Sequence, residues 1–245
     1  MGNERTFGLI GAQLQHSFSQ DYFRRKFKQE SIDDADYKNF ELGVIDEFTQ
    51  LILENYCIRG LNVTIPYKEQ IIPFLDELEP DAAVIGAVNT IQFKDGLLKG
   101  FNTDHIGFRD SLKPLLLDHH KKALVLGTGG SSKAVRFALA ELGIEISGVS
   151  RDPKEGDLSY LQLTSEIISN HKLIINTTPL GMYPAINDAP EIPYDSIGRK
   201  HLLYDLIYNP EETVFLRKGK ERGAEVKNGE EMLILQAEAA WDIWN

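Results

Sequence analysis

The stretch Ala123–Gly143 constrains the fold more than any other part of the chain. It starts with four apolar residues, continues with the turn Gly127-Thr128-Gly129-Gly130, and then places apolar residues at helical spacing. A strand, a glycine turn and a helix in this order form the dinucleotide-binding turn of doubly wound α/β folds. Glycines let the backbone approach a pyrophosphate, which the free N–H groups of the helix start then bind. The stretch therefore predicts a nucleotide-binding unit.

The match to the dinucleotide pattern is incomplete, because Ser132 occupies the position of the third glycine. The next predicted strand, 144–149, ends at Ser150 and Arg151, where the ribose of the cofactor is usually recognised. An arginine at this point favours the 2′-phosphate of NADP, because a guanidinium binds phosphate through two hydrogen bonds. Asp152 follows directly, and its negative charge keeps NAD open as the alternative cofactor.

Length and charge limit the classes of protein to which the chain can belong. Its 245 residues are enough for one large or two small domains, and its net charge of −11 argues against nucleic acid and anionic membranes as partners. The single cysteine, Cys57, provides no disulfide framework and suits a reducing cytoplasm. No apolar run approaches the ~20 residues that cross a bilayer, and no signal-peptide pattern is present.

The first part of the chain predicts an alternation of strands and helices. These elements are expected at 6–12, 19–30, 37–42, 46–56, 60–65 and 66–75. Ser19 is the expected N-cap of the first helix, and Lys94-Asp95-Gly96 indicates a hairpin. From Asp104 onward the alternation resumes as a fresh unit and closes with a helix from Gly229 to Trp244.

Polar side chains of a catalytic kind stand at the ends of several predicted elements. They are Ser17, Ser19, Asn62, Thr64, Lys68, Asn89 and Asp104. Taken singly, each is explained as a helix cap or a strand end, but together they suit a pocket for a small polyhydroxylated acid. The six histidines show no metal-binding spacing, and no serine nucleophile turn is present. This pattern favours redox chemistry on a bound cofactor, with Lys68 moving the proton.

A set of longer motifs extends this interpretation to almost the whole chain. The motifs are HSFS at 16–19, NVTIPYK at 62–68, GAVNT at 86–90, GFNTD at 100–104, GTGG at 127–130, NTTPLGM at 176–182, YDLIYNP at 204–210 and NGEEMLILQAEAAW at 228–241. In order and spacing this set resembles the shikimate dehydrogenase family. The resemblance implies reversible NADPH-dependent reduction of 3-dehydroshikimate to shikimate, a step of aromatic amino-acid biosynthesis.

The resemblance also implies an α/β architecture of two domains. Residues 1–104 would form an N-terminal α/β substrate domain to which the C-terminal helix, 229–245, returns, and residues 105–228 a Rossmann-like NADP-binding domain. Lys68 and Asp104 would be the catalytic pair. The substrate-binding residues would be Ser17, Ser19, Thr64, Lys68, Asn89, Asp104, Tyr208 and Gln236. The cofactor-binding residues would be Gly127, Gly129, Gly130, Ser131, Ser150, Arg151, Thr177, Met182 and Gly229, with no metal.

The chain departs from the family pattern at several places, among them a short segment from Arg151 to Lys172. Gln20 stands where the family usually has proline, and Ser150-Arg151-Asp152 replaces the usual Asn-Arg-Thr. Two other functions therefore stay open: a quinate or quinate/shikimate dehydrogenase that uses NAD, and a catalytically silent ligand sensor. The intact pair Lys68 and Asp104 argues against the sensor, which has no need to move a proton. We expect a cytoplasmic monomer or homodimer with a small-molecule substrate and no nucleic-acid or membrane partner.

Overall fold

Two units, each built on its own six-stranded sheet, make up the chain. The computed structural model describes residues 5–14 and 17–245. Unit 1 runs up to Thr103 and includes Gln236–Asn245, and unit 2 comprises Asp104–Leu235. Among the described residues, no helix combines the length and the apolar character needed to cross a membrane. The predicted α/β architecture with two domains is confirmed.

Unit 1 is a mixed sheet with helices packed against it. Its strands are β1 (Arg5–Gly11), β2 (Ala35–Glu41), β3 (Ile58–Val63), β4 (Glu77–Leu78), β5 (Thr90–Lys94) and β6 (Leu97–Phe101), in the order β2-β1-β3-β5-β6-β4. Its helices are α1 (Phe18–Gln29), α2 (Glu47–Glu54) and α3 (Pro80–Ile85). The strands β1, β2 and β3 are parallel, whereas β5 is antiparallel to both β3 and β6.

Strand β1 of unit 1 lies between β2 and β3 and is apolar because both of its faces are covered. Phe7 and Leu9 of β1 pack in one cluster with α1, and Ile10 packs in a second cluster on the opposite face. Since β1 and β3 are parallel, their carboxyl ends lie at the same edge of the sheet. Helix α1 follows β1, and the turn that carries Lys68 follows β3. Both therefore start from the same edge of the sheet.

Unit 2 is a doubly wound sheet in which every strand pair is parallel. Its strands are β7 (Lys122–Leu126), β8 (Glu145–Ser150), β9 (Leu158–Ser159), β10 (Leu173–Asn176), β11 (Leu202–Asp205) and β12 (Glu225–Lys227), in the order β12-β11-β10-β7-β8-β9. Its helices are α4 (Asp104–Leu112), α5 (Gly130–Glu141), α6 (Ser165–Asn170), α7 (Val214–Glu221) and the first part of α8 (Glu230–Trp244). The strand order reverses between β7 and β10, where ligands of such folds bind.

Some predicted elements differ from those observed. The expected helix at 66–75 is a series of turns ending in a 3₁₀ helix, Ile72–Phe74, because Pro73 lacks the N–H group that a helix interior needs. The cap of α1 is Ser17 rather than Ser19, since the Ser17 hydroxyl accepts a hydrogen bond from the N–H of Gln20 at 3.3 Å. The hairpin between β5 and β6 is confirmed, with positive φ angles at Asp95 and Gly96.

Candidate functional site

The turn between β7 and α5 leaves open space in front of a helix N-terminus. Gly127 has a φ angle of +110°, and a Cβ atom on it would lie 2.7 Å from Oγ1 of Thr177. A Cβ atom on Gly129 would meet nothing within 4 Å. Ser132, at the position of the third glycine, is buried and donates a hydrogen bond to the carbonyl of Gly127 at 2.7 Å. The Ser132 hydrogen bond therefore stabilises the glycine turn, and the space next to Gly129 stays open.

This turn fits the pyrophosphate of a dinucleotide. The helix α5 begins at Gly130 and carries no acidic residue in its first turn. Gly129, its N-cap, has no side chain with which to satisfy the N–H groups behind it. Those donors and the positive end of the helix dipole are available to an anion. Four of the residues predicted to bind the cofactor, Gly127, Gly129, Gly130 and Ser131, belong to this turn and to the start of α5.

The residues predicted to recognise the ribose follow β8, which is hydrogen-bonded to the glycine turn. The N–H of Gly127 donates to the carbonyl of Val149, the penultimate residue of β8, at 2.8 Å. The Ser150 hydroxyl is buried and bonds to the backbone N–H and carbonyl of Asp152, both at 3.1 Å. This tight turn leaves the side chains of Arg151 and Asp152 exposed, one of each charge. The Ser150 hydroxyl therefore stabilises the turn through these two hydrogen bonds. A phosphate that bound to this hydroxyl would compete with the backbone of Asp152 for it.

Asn176 and Asp205, the last residues of β10 and β11, are hydrogen-bonded to each other. The Asp205 carboxylate is fully buried and accepts hydrogen bonds from Asn176 Nδ2 at 3.0 Å, Thr213 Oγ1 at 2.7 Å and the N–H of Ile207 at 3.1 Å. Burial raises the pKa of Asp205 to about 6, and these three hydrogen bonds only partly oppose the shift. Asp205 thereby fixes the backbone that leads into Tyr208.

The other cofactor candidates of unit 2 lie on the segments after these strands. A Cβ atom on Gly229 would lie 2.1 Å from the carbonyl oxygen of Leu206, so only glycine fits there. The N–H of Gly229 donates to the carbonyl of Ile207 at 3.1 Å, next to Tyr208. Thr177 hydrogen-bonds to the carbonyl of Leu126 at the end of β7, and Met182 is exposed.

A buried polar network runs through unit 1 at the end of β3. Asn89 Nδ2 donates to Oε1 of Gln236 at 3.3 Å and to Oγ1 of Thr103 at 2.9 Å. Asn62 Nδ2 donates to the carbonyl of Asn89 at 3.3 Å, and Tyr37 Oη donates to Asn62 Oδ1 at 2.7 Å. All five side chains are buried. The structure therefore brings together two predicted substrate residues, Asn89 and Gln236.

Sequence reasoning did not assign a functional role to Tyr37 or Thr103. Both residues lie in segments whose pattern indicates strands and helix starts rather than chemistry. Asn62 is among the polar residues that the sequence predicts at the pocket, on the same strand face as Thr64, although the motif resemblance gives it no role. The alternation of polar residues in NVT was the signal available for Asn62. Nothing in the local sequence around Tyr37 indicates its hydrogen bonds.

The candidate acid–base residue lies in the turn after β3. Lys68 is half-buried, and its carbonyl accepts a hydrogen bond from the N–H of Val88 at 2.7 Å, directly before Asn89. The carbonyl of Thr64 closes the preceding turn by accepting from the N–H of Tyr67 at 2.9 Å. Asp104, in unit 2, is the first residue of α4 and is buried.

The two serines predicted to bind a carboxylate begin α1. Ser17 and Ser19 are half-buried, and the Ser17 hydroxyl accepts a hydrogen bond from the N–H of Gln20 at 3.3 Å. His16, the first residue of the HSFS motif, lies outside the described residues. Within the part of the chain that the structure describes, no group of three or more His, Cys, Asp or Glu is placed to hold a metal.

Known proteins resemble this chain over nearly its full length. The family model of the shikimate dehydrogenase substrate binding domain matches residues 9–91. A shikimate dehydrogenase (NADP(+)) from Methanosphaera stadtmanae is 38% identical, over 97% of this chain and 90% of that protein. The shikimate dehydrogenase structure from Aquifex aeolicus has a TM-score of 0.89 and 35% identity, covering 100% and 94% of the two chains. A shikimate 5-dehydrogenase structure from Thermus thermophilus, in complex with NADP(H) and shikimate, has a TM-score of 0.88 and 30% sequence identity. The match covers 98% of this chain and 93% of that chain.

Proposed function

This chain belongs to the shikimate dehydrogenase family, and we propose that it catalyses the reversible NADPH-dependent reduction of 3-dehydroshikimate to shikimate. It is an NADP-dependent oxidoreductase that acts on a CH–OH group, in the biosynthesis of aromatic amino acids. One observation carries this proposal: the 38% identity to a shikimate dehydrogenase extends over 97% of the chain, so it includes both units. The open glycine turn in unit 2 and the buried polar network in unit 1 support it.

The proposal assigns each unit its part of the reaction. Residues 1–104 with 229–245 form the substrate domain, and residues 105–228 form the NADP-binding domain. NADPH supplies the hydride for carbon 3 of the substrate. Lys68 donates the proton to the oxygen that gains negative charge during reduction, and it accepts that proton in the reverse direction. Asp104 orients the lysine and the substrate hydroxyl.

The remaining residues bind and orient the two ligands. The serine hydroxyls at the start of α1 hold the carboxylate, and the buried amides hold the ring hydroxyls. The full substrate set is Ser17, Ser19, Thr64, Lys68, Asn89, Asp104, Tyr208 and Gln236. The full cofactor set is Gly127, Gly129, Gly130, Ser131, Ser150, Arg151, Thr177, Met182 and Gly229.

We further propose that the enzyme works in the cytoplasm as a monomer or homodimer, without nucleic-acid or membrane partners. The net charge of −11 supports the last point, since polyanions and anionic lipid are repelled. This net charge does not prevent the binding of a small anion, because charges farther away than a Debye length of about 8 Å are screened.

The first experiment is a spectrophotometric assay of the wild-type protein with shikimate. Rapid formation of NADPH from NADP⁺, with little reaction when NAD⁺ or quinate is substituted, is the expected result. Comparable rates with NAD⁺ or quinate would assign the protein to the broader quinate/shikimate dehydrogenases. Binding of shikimate without any reduced cofactor, by protein shown to be folded, would instead support the ligand sensor.

A further inference from the structure

The loop between β8 and β9 carries the residues proposed to bind the 2′-phosphate of the cofactor. It is exposed over residues 151–156, which include Arg151 and Asp152. The start of the loop is held by the Ser150 hydroxyl, which bonds to the backbone N–H and carbonyl of Asp152. Because the middle of the loop is exposed, the contacts at its two ends determine where Arg151 lies.

The far end of the loop is held by an ion pair with helix α5. Nη2 of Arg136 donates to Oδ1 of Asp157 at 2.8 Å. The Asp157 side chain is only 9% exposed, whereas the Arg136 side chain is 33% exposed. The N–H of Asp157 also donates to the carbonyl of Lys154 at 3.0 Å, which closes the last turn of the loop. A carboxylate so far removed from water needs a charged partner, so the ion pair fixes this end of the loop to α5.

Strand β8 makes room for this ion pair. Ile146 of β8 packs against the core cluster that includes α5, and Gly148, two residues further along the strand, faces the same side. A Cβ atom on Gly148 would overlap both the Arg136 guanidinium and the Asp157 carboxylate. The side chain of Arg136 therefore passes over a glycine to reach the loop, and any larger residue at this position would displace it.

The register of the strands places the ion pair close to Arg151. In the parallel ladder of β8 and β9, Leu158 lies opposite Val149, so Asp157 lies level with Gly148. Arg151 is three residues beyond Gly148, which corresponds to about 10 Å at the rise of a strand. The conformation of the loop end that contains Asp157 therefore affects the backbone from which the Arg151 side chain extends.

We propose that Arg136 is a positioning residue for the cofactor: its ion pair with Asp157 holds the loop in the conformation from which Arg151 binds the 2′-phosphate. This inference rests on the proposed function, since it takes Arg151 to bind that phosphate. NAD⁺ carries a hydroxyl in place of the phosphate and gains less from Arg151. Loss of the ion pair should therefore weaken the binding of NADP⁺ more than that of NAD⁺, because a loop that is ordered only on binding reduces the affinity.

The test is the variant Arg136→Met, which removes the charge and keeps an unbranched side chain. Isothermal titration calorimetry on the full chain, without substrate, measures the Kd for NADP⁺ and for NAD⁺. We expect the Kd for NADP⁺ to rise about three- to tenfold, the scale of losing one partly buried hydrogen bond between charged groups. The Kd for NAD⁺ should stay within about twofold of wild type, and Arg136→Lys, which keeps the charge, should recover part of the loss.

The matched control is Lys122→Met. Lys122 pairs with Glu145, the first residue of β8, at 2.9 Å. This ion pair lies at the end of β8 opposite the loop, so its loss should leave both Kd values unchanged.

Two double variants show how Arg136 acts. In an Arg151→Ala background, Arg136→Met should change the Kd for NADP⁺ by less than about twofold, because both residues serve the same contact. Arg136→Met/Asp157→Asn should bind NADP⁺ within about twofold of Arg136→Met, since the loop has lost its anchor in both. This double variant leaves no unpaired carboxylate, so it carries the test should Arg136→Met fail to fold. Recovery of the wild-type Kd in it would mean that Arg136 only neutralises Asp157, and the positioning role would be wrong.

Other results would also overturn the inference. They are an unchanged Kd for NADP⁺ in folded Arg136→Met, an equal loss of NAD⁺ binding, an equal effect of Lys122→Met, a full additional effect in the Arg151→Ala background, and a wild-type protein that binds NADP⁺ no better than NAD⁺. Failure of the proposed function gives a different result. A wild-type protein that prefers NADP⁺ but does not oxidise shikimate would contradict the proposed function, while the calorimetry would still decide the role of Arg136.

Discussion

The backbone on both sides of Lys68 is fixed independently of its side chain. Its carbonyl accepts from the N–H of Val88, and the turn before it is closed by the hydrogen bond from Tyr67 to Thr64. The residue as a whole is half-buried. A substitution at this residue should therefore remove a proton donor without moving the chain.

The variant Lys68→Ala should lower kcat by about 10²–10⁴, the usual contribution of a positioned acid–base group. Steady-state oxidation of shikimate measures this effect, and the KM for shikimate should change less than kcat. Lys94→Ala, at the exposed hairpin turn, removes the same charge far from the proposed site and serves as the control. Turnover near the wild-type rate in Lys68→Ala would show that another group moves the proton.

Asp205 predicts a pH dependence of stability. Because its pKa is raised to about 6 in the folded protein, its stabilising contribution is fully present below the unfolded value of about 4. That contribution is lost as the pH rises from about 4 through about 6. The expected loss is on the order of 3 kcal/mol, since each pKa unit corresponds to about 1.4 kcal/mol.

Denaturant unfolding between pH 4 and 7 measures this linkage. Relative to Asp205→Asn, the wild-type protein should lose free energy of unfolding as the pH rises across this range. Asp118→Asn changes the net charge by the same amount at an exposed residue and should run parallel to wild type. Parallel curves for wild type and Asp205→Asn would contradict the shifted pKa.

At the scale of elements, the last helix completes the core of unit 1. Trp244 of α8 stacks on Phe7 with ring centroids 5.1 Å apart, and its Nε1 donates to the carbonyl of Ile91 at 3.0 Å. Gly60 of β3 gives the indole its space, because a Cβ atom there would lie 2.2 Å from Trp244 Nε1. The packing of α8 on β3 therefore requires a residue without a side chain at Gly60.

The variant Gly60→Ala should lower the free energy of unfolding by about 1–3 kcal/mol, the usual cost of overpacking a core. The indole must move, which weakens its stacking on Phe7 and its hydrogen bond to Ile91. Chemical denaturation measures the loss, and tryptophan fluorescence reports the change around the ring. Gly198→Ala is the control, since a Cβ atom there meets nothing within 4 Å. Equal stability of the two variants would show that the indole has room to shift.

The elements also show what the sequence can and cannot predict. Strands such as β7 and β10 were predictable because a strand covered on both faces must be apolar along its length. The apolar spacing of 66–75 predicts a helix, but Pro73 interrupts it, and the structure has turns and a short 3₁₀ helix there. The bond between Asn89 and Gln236 joins residues 147 positions apart, and no local pattern encodes such a contact. The motif resemblance nominated both residues, but only the structure shows that they touch.

At the scale of the whole molecule, the net charge of −11 opposes the binding of any anionic cofactor. NADP⁺ carries one phosphate more than NAD⁺, so the overall charge disfavours it further. We propose that Arg151 and Asp152, which are adjacent and exposed, decide whether local charge reverses this preference. Screening confines their influence to about 8 Å, which is enough for a phosphate bound at the turn but not for distant charges.

Ligand-induced stabilisation tests this balance on the intact protein. A ligand at 100 times its Kd stabilises the folded state by about 2.7 kcal/mol, which corresponds to a rise in Tm of about 5–10 °C for a chain of this size. At equal concentrations NADP⁺ should raise the Tm more than NAD⁺. The variant Arg151→Ala should remove most of that difference, whereas Asp152→Ala should enlarge it, because it deletes a like charge beside the phosphate. If NADP⁺ retains its full advantage in Arg151→Ala, the 2′-phosphate is recognised by other residues, and the cofactor role of the β8 turn has to be reassigned.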